Sequence, residues 1–213
     1  AGMLLPALNQ AREKAKAISC TNNMKTLGTA MLLYAQDYQD LMPLAGNRGG
    51  VWYYGIQKNA WPYLLNHHYL GGKAGTTISA VFQCPGNDSR NLSGTYNGKL
   101  DYACFNSYGA DGTWDAVISP IKLSRIPNAS SAGLFLEYQT QTQARLASCG
   151  MDANFRLVDN WYWEKLRIAY RHARESILNV AYLDGHVGQL RRPGIQNMPS
   201  DQLKIFVCRG KTY

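Results

Sequence analysis

The sequence predicts an α+β fold in which one long N-terminal helix lies on an antiparallel sheet. Apolar residues recur in steps of three and four over about 35 residues from Leu4. Near the other end, "SILNVAYLDGHVGQL" sets two strand-like runs on either side of Asp184-Gly185, a hairpin dipeptide. Between them, short apolar runs alternate with turn formers, in a chain whose 14 Tyr, 5 Trp and 20 Gly favour strands and turns over further helix. The 213 residues are expected to form one domain, with 1–40 as the helix and 41–213 as a globular head that includes the helix's second half.

Leu4, Leu8, Ala11, Ala15 and Ile18 make one apolar series of the helix. Cys20, Met24, Leu27, Met31, Tyr34 and Tyr38 make a second, one step out of phase, with the slip near Ser19. Good helix formers fill "NQAREKAKA", where Glu13, Lys14 and Lys16 give a solvated face. Pro6 belongs in a first helical turn or kinks a helix begun earlier, and Gly28 and "DYQDLMP" mark where the helix is expected to loosen and end. Ala1 to Leu8 is nearly all apolar and resembles neither the charged start nor the cleavage site of a signal peptide. No run reaches the ~18–20 apolar residues of a membrane span. A helix of this kind can lie against a sheet with its amphipathic second half and leave its first half to lipid or to other helices.

"AGNRGGVWYYG" reads as a Gly-rich loop, and "WPYLLNHHYLGG" as a short helix or turn stopped by Gly71 and Gly72. Its adjacent His67 and His68 point about 100° apart on a helix, which suits solvated positions better than a shared metal. "ISAVFQCPGNDS" predicts a strand ending at Cys84-Pro85, "DYACFNSYGADGTWD" another strand and turn, and Gly133 to Tyr138 an apolar strand with Glu137 near its end. Residues 140–159 read as a surface excursion, and "DQLKIFVCRG" as a further strand or short helix. Asp184-Gly185 suits a two-residue type I′ turn.

The formal charge of +8 is concentrated towards the end of the chain, where Lys165 to Tyr213 carries nine Lys/Arg against three Asp/Glu. These charges are scattered, with no RNP-like aromatics, Cys/His finger or helix-turn-helix, so nucleic acid is not expected; an anionic membrane or partner suits them. The five cysteines show no CxxC pair and no zinc spacing, which favours disulfides in an oxidising compartment. His172, Asp184 and His186 resemble parts of a hydrolytic triad, but no nucleophile elbow accompanies them, so no catalytic residues are assigned and a hydrolase is the third-ranked function. Asn106, Asp111 and Asp115 around "DGTWD" offer calcium-type oxygens without an EF-hand ladder; a solvated turn is the first expectation and calcium the second, with no other cofactor. Trp161, Tyr162 and Trp163 put two indoles on one strand face, as core or as a stacking platform for sugar.

"MLLPALNQAREKAKAISCTNNMKTLGTAMLLYAQDY" resembles the N-terminal helix of the pilin-like proteins of type II secretion, the G-type pseudopilins, whose unprocessed forms carry a prepilin cleavage and methylation segment. Members of that group have a C-terminal motif of His, nine residues and Asp-Gly, often followed by His. "RHARESILNVAYLDGHV" is similar through His172, Asp184, Gly185 and His186, although eleven residues separate His172 from Asp184, as a two-residue insertion would give. "WPYLLNHHYLGG", "FQCPGND", "SYGADG" and "LSRIPNASSAGLFLEY" follow in the expected order, so the resemblance covers most of the chain.

The resemblance implies a pilin-like roll and a non-enzymatic subunit of a type II secretion or type IV pilus-like filament, polymerising through its helix with like or related subunits. It implies an inner-membrane anchor in the bacterial cell envelope, with the head in the periplasm or at the cell surface. Met3, Leu4, Leu5 and Leu8 would be the end of the anchor, with Pro6 inside a continuous parent helix. A surface carbohydrate-binding or adhesive module displayed on the same anchor is the alternative. The candidate disulfide joins Cys84 and Cys104 on neighbouring predicted strands.

Overall fold

Helix α1 runs unbroken over Leu4–Asp37, 34 residues, in the computed structural model. The structure describes residues 4–43, 52–53, 56–57, 61–72, 78–87, 100–105, 122–126, 128–137, 148–149, 170–173 and 176–191. Pro6 occupies the first turn, where a helical amide has no partner to lose. The helix does not loosen at Gly28, where an added Cβ would meet no atom within 4 Å, and continues to Asp37. It is stopped by positive φ at Gln39 (55°) and Asp40 (70°). There the Asp40 carboxylate accepts the Ser124 amide at 3.0 Å and its carbonyl accepts the Leu123 amide at 2.8 Å. Hydrogen bonds from Ser124 hold the Asp40 carboxyl below its ordinary pKa.

The two halves of α1 live in different surroundings. Residues 5–15 are exposed throughout, whereas Cys20, Met24, Leu27 and Met31 are wholly buried. At 100° per residue, the apolar series of 8–18 and that of 20–34 are centred about 160° apart, so the slip near Ser19 turns the apolar stripe to the opposite side of the helix. Tyr38, expected to continue the inner series, is exposed and stacks on Tyr34 with ring centroids 4.2 Å apart, because it lies one residue beyond the helix.

Two short strands, β1 (Trp52–Tyr53) and β2 (Ile56–Gln57), form an antiparallel ribbon, followed by helix α2 (Trp61–His68). Gly71, at φ 68°, ends the turn after α2, while the Leu65 and Asn66 carbonyls accept the Leu70 and Gly72 amides. His67 and His68 are exposed. A Cβ on Gly72 would collide with the Asn66 side-chain amide, whose Oδ1 is held by the Ser79 amide at 2.8 Å. Gly72→Ala is therefore expected to cost about 1–3 kcal/mol, read as a lower urea midpoint at unchanged slope.

Residues 80–82 depart from the expected strand. Ala80–Phe82 is a 3-10 turn, opened by Ser79, whose hydroxyl accepts the Val81 amide. With Ser79 fixed by Asn66, this turn drops Phe82 into the core instead of extending along the sheet. Trp61 sits between Phe82 and Phe135, ring centroids 5.8 and 5.1 Å away.

Strands β3 (Tyr102–Phe105), β4 (Gly133–Glu137), β5 (Ser148–Cys149), β6 (Ile177–Tyr182) and β7 (Val187–Arg191) build one sheet in the order β5-β3-β4-β6-β7. Its pairs are antiparallel except the short β3–β5 edge. The buried half of α1 packs across β4, β6 and β7. The molecule is thus α+β, a long N-terminal helix on a mainly antiparallel sheet, as in a pilin-like roll.

Candidate functional site

Where α1 meets the sheet, a group of polar side chains is sealed from solvent around Cys84. Cys20, on the first buried turn of α1, is disulfide-bonded to Cys84, just after the 3-10 turn, with Cα atoms 5.1 Å apart and a sequence separation of 64. The expected Cys84–Cys104 bridge is therefore corrected. The turn at 80–82 takes Cys84 off the strand path and under the helix, where Cys20 faces it.

Glu137 closes β4 and is completely buried. Its Oε2 accepts the Asn179 backbone amide at 3.0 Å; its Oε1 accepts the Asn179 side-chain amide at 2.9 Å and lies 2.7 Å from His172 Nε2. Asn179 Oδ1 in turn accepts Gln189 Nε2 at 3.3 Å, which makes a polar ladder across β7, β6 and β4. Cys84 Sγ stands 3.8 Å from Glu137 Oε1 and 3.7 Å from His172 Nε2. His172 is placed by a bridge to Ile177 that closes a tight turn, with Ala173 at φ 48°. Gly86 covers the imidazole, since a Cβ there would come within 3.1 Å of His172 Cε1.

A second buried carboxylate, Asp101, holds the Cys84 backbone. Asp101 Oδ2 accepts the Cys84 amide at 2.8 Å, and its Oδ1 accepts Asn87 Nδ2 at 2.6 Å. Arg171 pairs with Asp101 at 3.4 Å and donates to its backbone carbonyl at 3.0 Å. Two carboxylates thus each satisfy several donors, as buried polar groups require.

The hairpin tip lies at the surface and differs from the two-residue turn expected. Tyr182 donates to the His186 carbonyl at 2.9 Å and accepts from the Gly185 amide at 3.0 Å, so Leu183, Asp184 and Gly185 form a three-residue loop. Of Asp184 and Gly185, only Gly185 has positive φ, 89°. The reason is a contact from a distant segment: Leu183 is buried, and its amide is held by the Ala132 carbonyl at 2.9 Å, drawing it out of the strand. Asp184 Oδ1 lies 2.6 Å from His186 Nδ1, and the His186 ring stacks on Tyr182 at 4.3 Å.

Slight burial raises the Asp184 pKa, but the amide and imidazole of His186 outweigh it and hold the carboxyl below its ordinary value. A carboxyl lowered on folding stabilises the fold above its unfolded pKa of ~3.9, and that contribution is lost as pH falls through the folded value. His186→Ala should therefore shift the Asp184 carboxyl titration upward, measured by carbon-detected NMR. An unchanged midpoint would deny the pair its role.

The structure therefore joins Asp184 to His186 and places His172 with Glu137, away from any triad arrangement with them. Leu5 and Leu8 are exposed on the outer half of α1, and Leu4 begins it. Met3, Asn106, Asp111, Asp115 and the Trp161–Trp163 cluster lie outside the described residues, as do most of 140–159 and the final "DQLKIFVCRG". Sequence reasoning noted Glu137 only as a strand end and passed over Cys20 as a bridge partner, Asp101, Arg171 and Asn179. The signal was available in "GLFLE" and "ILNVAY", where one polar residue interrupts an otherwise apolar buried strand.

A family model described as "Protein of unknown function (DUF1559)" matches residues 9–167, from the exposed half of α1 through β5. No curated protein and no solved structure matches the chain. Spanning well over half of the 213 residues, the match shows that this chain belongs to the DUF1559 family.

Proposed function

We propose that the protein is a non-enzymatic, pseudopilin-like subunit of a type II secretion or type IV pilus-like filament, and that it acts by helix-mediated polymerisation. The observation that carries this is the two-sided helix. One apolar stripe is consumed by the protein's own sheet, while Leu8, Ala11, Ala15 and Ile18 form another on the opposite side, with Leu8 56% and Ile18 62% exposed. Residues 5–15, exposed throughout, span about 16 Å of helix, and helical stripes of this kind gain their stability by burial against other helices. Leu33, on that same outer side and 46% exposed, carries the surface on along the head.

Neighbouring subunits would pack against this stripe, with the head outside the cytoplasm of a bacterial envelope. No helix among the described residues is long and apolar enough to cross a membrane. Membrane attachment in this proposal rests on the pilin-like resemblance.

The test places a photo-crosslinking residue at Ala11 or Ala15, on the same exposed stripe, of the full-length protein in its host. Adducts with the same protein or with related pilin-like subunits are expected, and are to be lost in Leu8→Asp/Ile18→Asp. Crosslinks to lipid or solvent only, with no protein partner, would overturn the proposal.

A further inference from the structure

We infer that the buried cluster at Cys84 is a redox-gated metal site: in the dithiol state, Cys20, Cys84, Glu137 and His172 bind one zinc-like divalent ion. The four side chains offer two sulfurs, one imidazole nitrogen and one carboxylate oxygen, all within 4.8 Å of one another and all buried. That is a complete tetrahedral donor set of the type zinc takes. Around a zinc ion with bonds of about 2.3 Å to sulfur and about 2.0–2.1 Å to nitrogen or oxygen, a tetrahedral sulfur stands about 3.6 Å from its nitrogen and oxygen neighbours. The sulfur-to-oxygen and sulfur-to-nitrogen distances of 3.8 and 3.7 Å are close to that size.

What closes the site is the bond between the two sulfurs, together with the 2.7 Å contact of His172 Nε2 with Glu137 Oε1, which has to widen to about 3.3 Å around an ion. The supporting shell is also present: Asn179 donates twice to Glu137, and Asp101 holds the Cys84 amide. A disulfide between two surface-facing strands would have no such lining.

The balance is simple. A dithiol reductant gives two electrons and two protons to the disulfide and becomes a disulfide itself, leaving two thiols on the protein. A divalent ion then displaces one proton from each thiol and takes the place of the proton between His172 Nε2 and Glu137 Oε1. That third proton moves to His172 Nδ1, a buried atom with no hydrogen-bond partner among the described residues. Two protons leave the protein for each ion bound. Oxidation of the thiolates by a protein disulfide reverses the sequence and expels the ion.

The experiment reduces the purified chain with a phosphine under anaerobic conditions and adds cobalt(II) as the spectroscopic probe. One equivalent is expected to give tetrahedral d–d absorption with a thiolate charge-transfer band, and the air-oxidised chain to give neither. Cys20→Ser/Cys84→Ser, which keeps Cys104, Cys149 and Cys208, is expected to lose the charge-transfer band. Because that variant can fail to fold, the wild-type chain is also alkylated with and without zinc and mapped by mass spectrometry. Protection confined to Cys20 and Cys84 supports the site. Protection at other cysteines, or at none, or a band that survives in the double variant, overturns it.

Discussion

Reducing the Cys20–Cys84 bridge in the presence of a chelator is expected to lower the stability of the fold by about 4 kcal/mol, the loop-closure value for the 64-residue separation. For a chain of this size that is a fall in Tm on the order of 10 °C. The measurement is a pair of urea or thermal unfolding curves, oxidised and reduced. Cys20→Ser/Cys84→Ser should come close to the reduced curve, because most of the loss comes from the freed unfolded chain. An unchanged midpoint would mean that the polar cluster and the packed helix hold the contact without the covalent link. Adding zinc to the reduced protein should recover part of the loss, since an ion bound only by the folded state adds its binding free energy to stability.

Glu137→Leu is expected to cost about 3–5 kcal/mol, the second large effect. The substitution has nearly the right volume for the strand but leaves the Asn179 amide, the Asn179 side chain and His172 Nε2 without their acceptor. The penalty is the desolvation of these groups more than the loss of the bonds themselves. Asn179→Ala should cost less, because Glu137 then keeps His172 within 2.7 Å and the backbone amide of residue 179. The two changes should combine to less than their sum in chemical denaturation, as partners in one network do.

The parts of this fold that sequence reveals are those governed by local repetition. The apolar steps from Cys20 to Tyr34 predict a face, and that face is the one α1 buries. The runs flanking Asp184-Gly185 predict a hairpin, and β6 and β7 pair there in antiparallel register. What escaped depends on contacts between distant segments. Whether "AVFQC" extends or coils is decided by Asn66 reaching Ser79, thirteen residues away, and no pattern within the segment records it. The partner of Cys84 followed from that same turn. The loop at Asp184 gained a residue because Leu183 finds an apolar site beside Ala132, a competition that outweighs the turn preference of the dipeptide. Glu137 is the clearest case, since a carboxylate ending an apolar strand reads as the exposed end of that strand until Asn179 and His172 are seen to meet it.

Cys20 also decides how tension would travel through the molecule. A pull on the exposed start of α1, residues 5–15, meets a covalent bond at the first wholly buried turn. Without that bond the load would open the interface one helical turn at a time, Cys20 first, then Met24, each step resisted only by its own side chains. With it, the load passes through Cys84 into the floor of the head, and α1 can be detached only by shearing the whole interface at once. In a single-molecule pulling experiment, the oxidised protein should yield in one high-force event and the reduced protein in a gradual release at lower force.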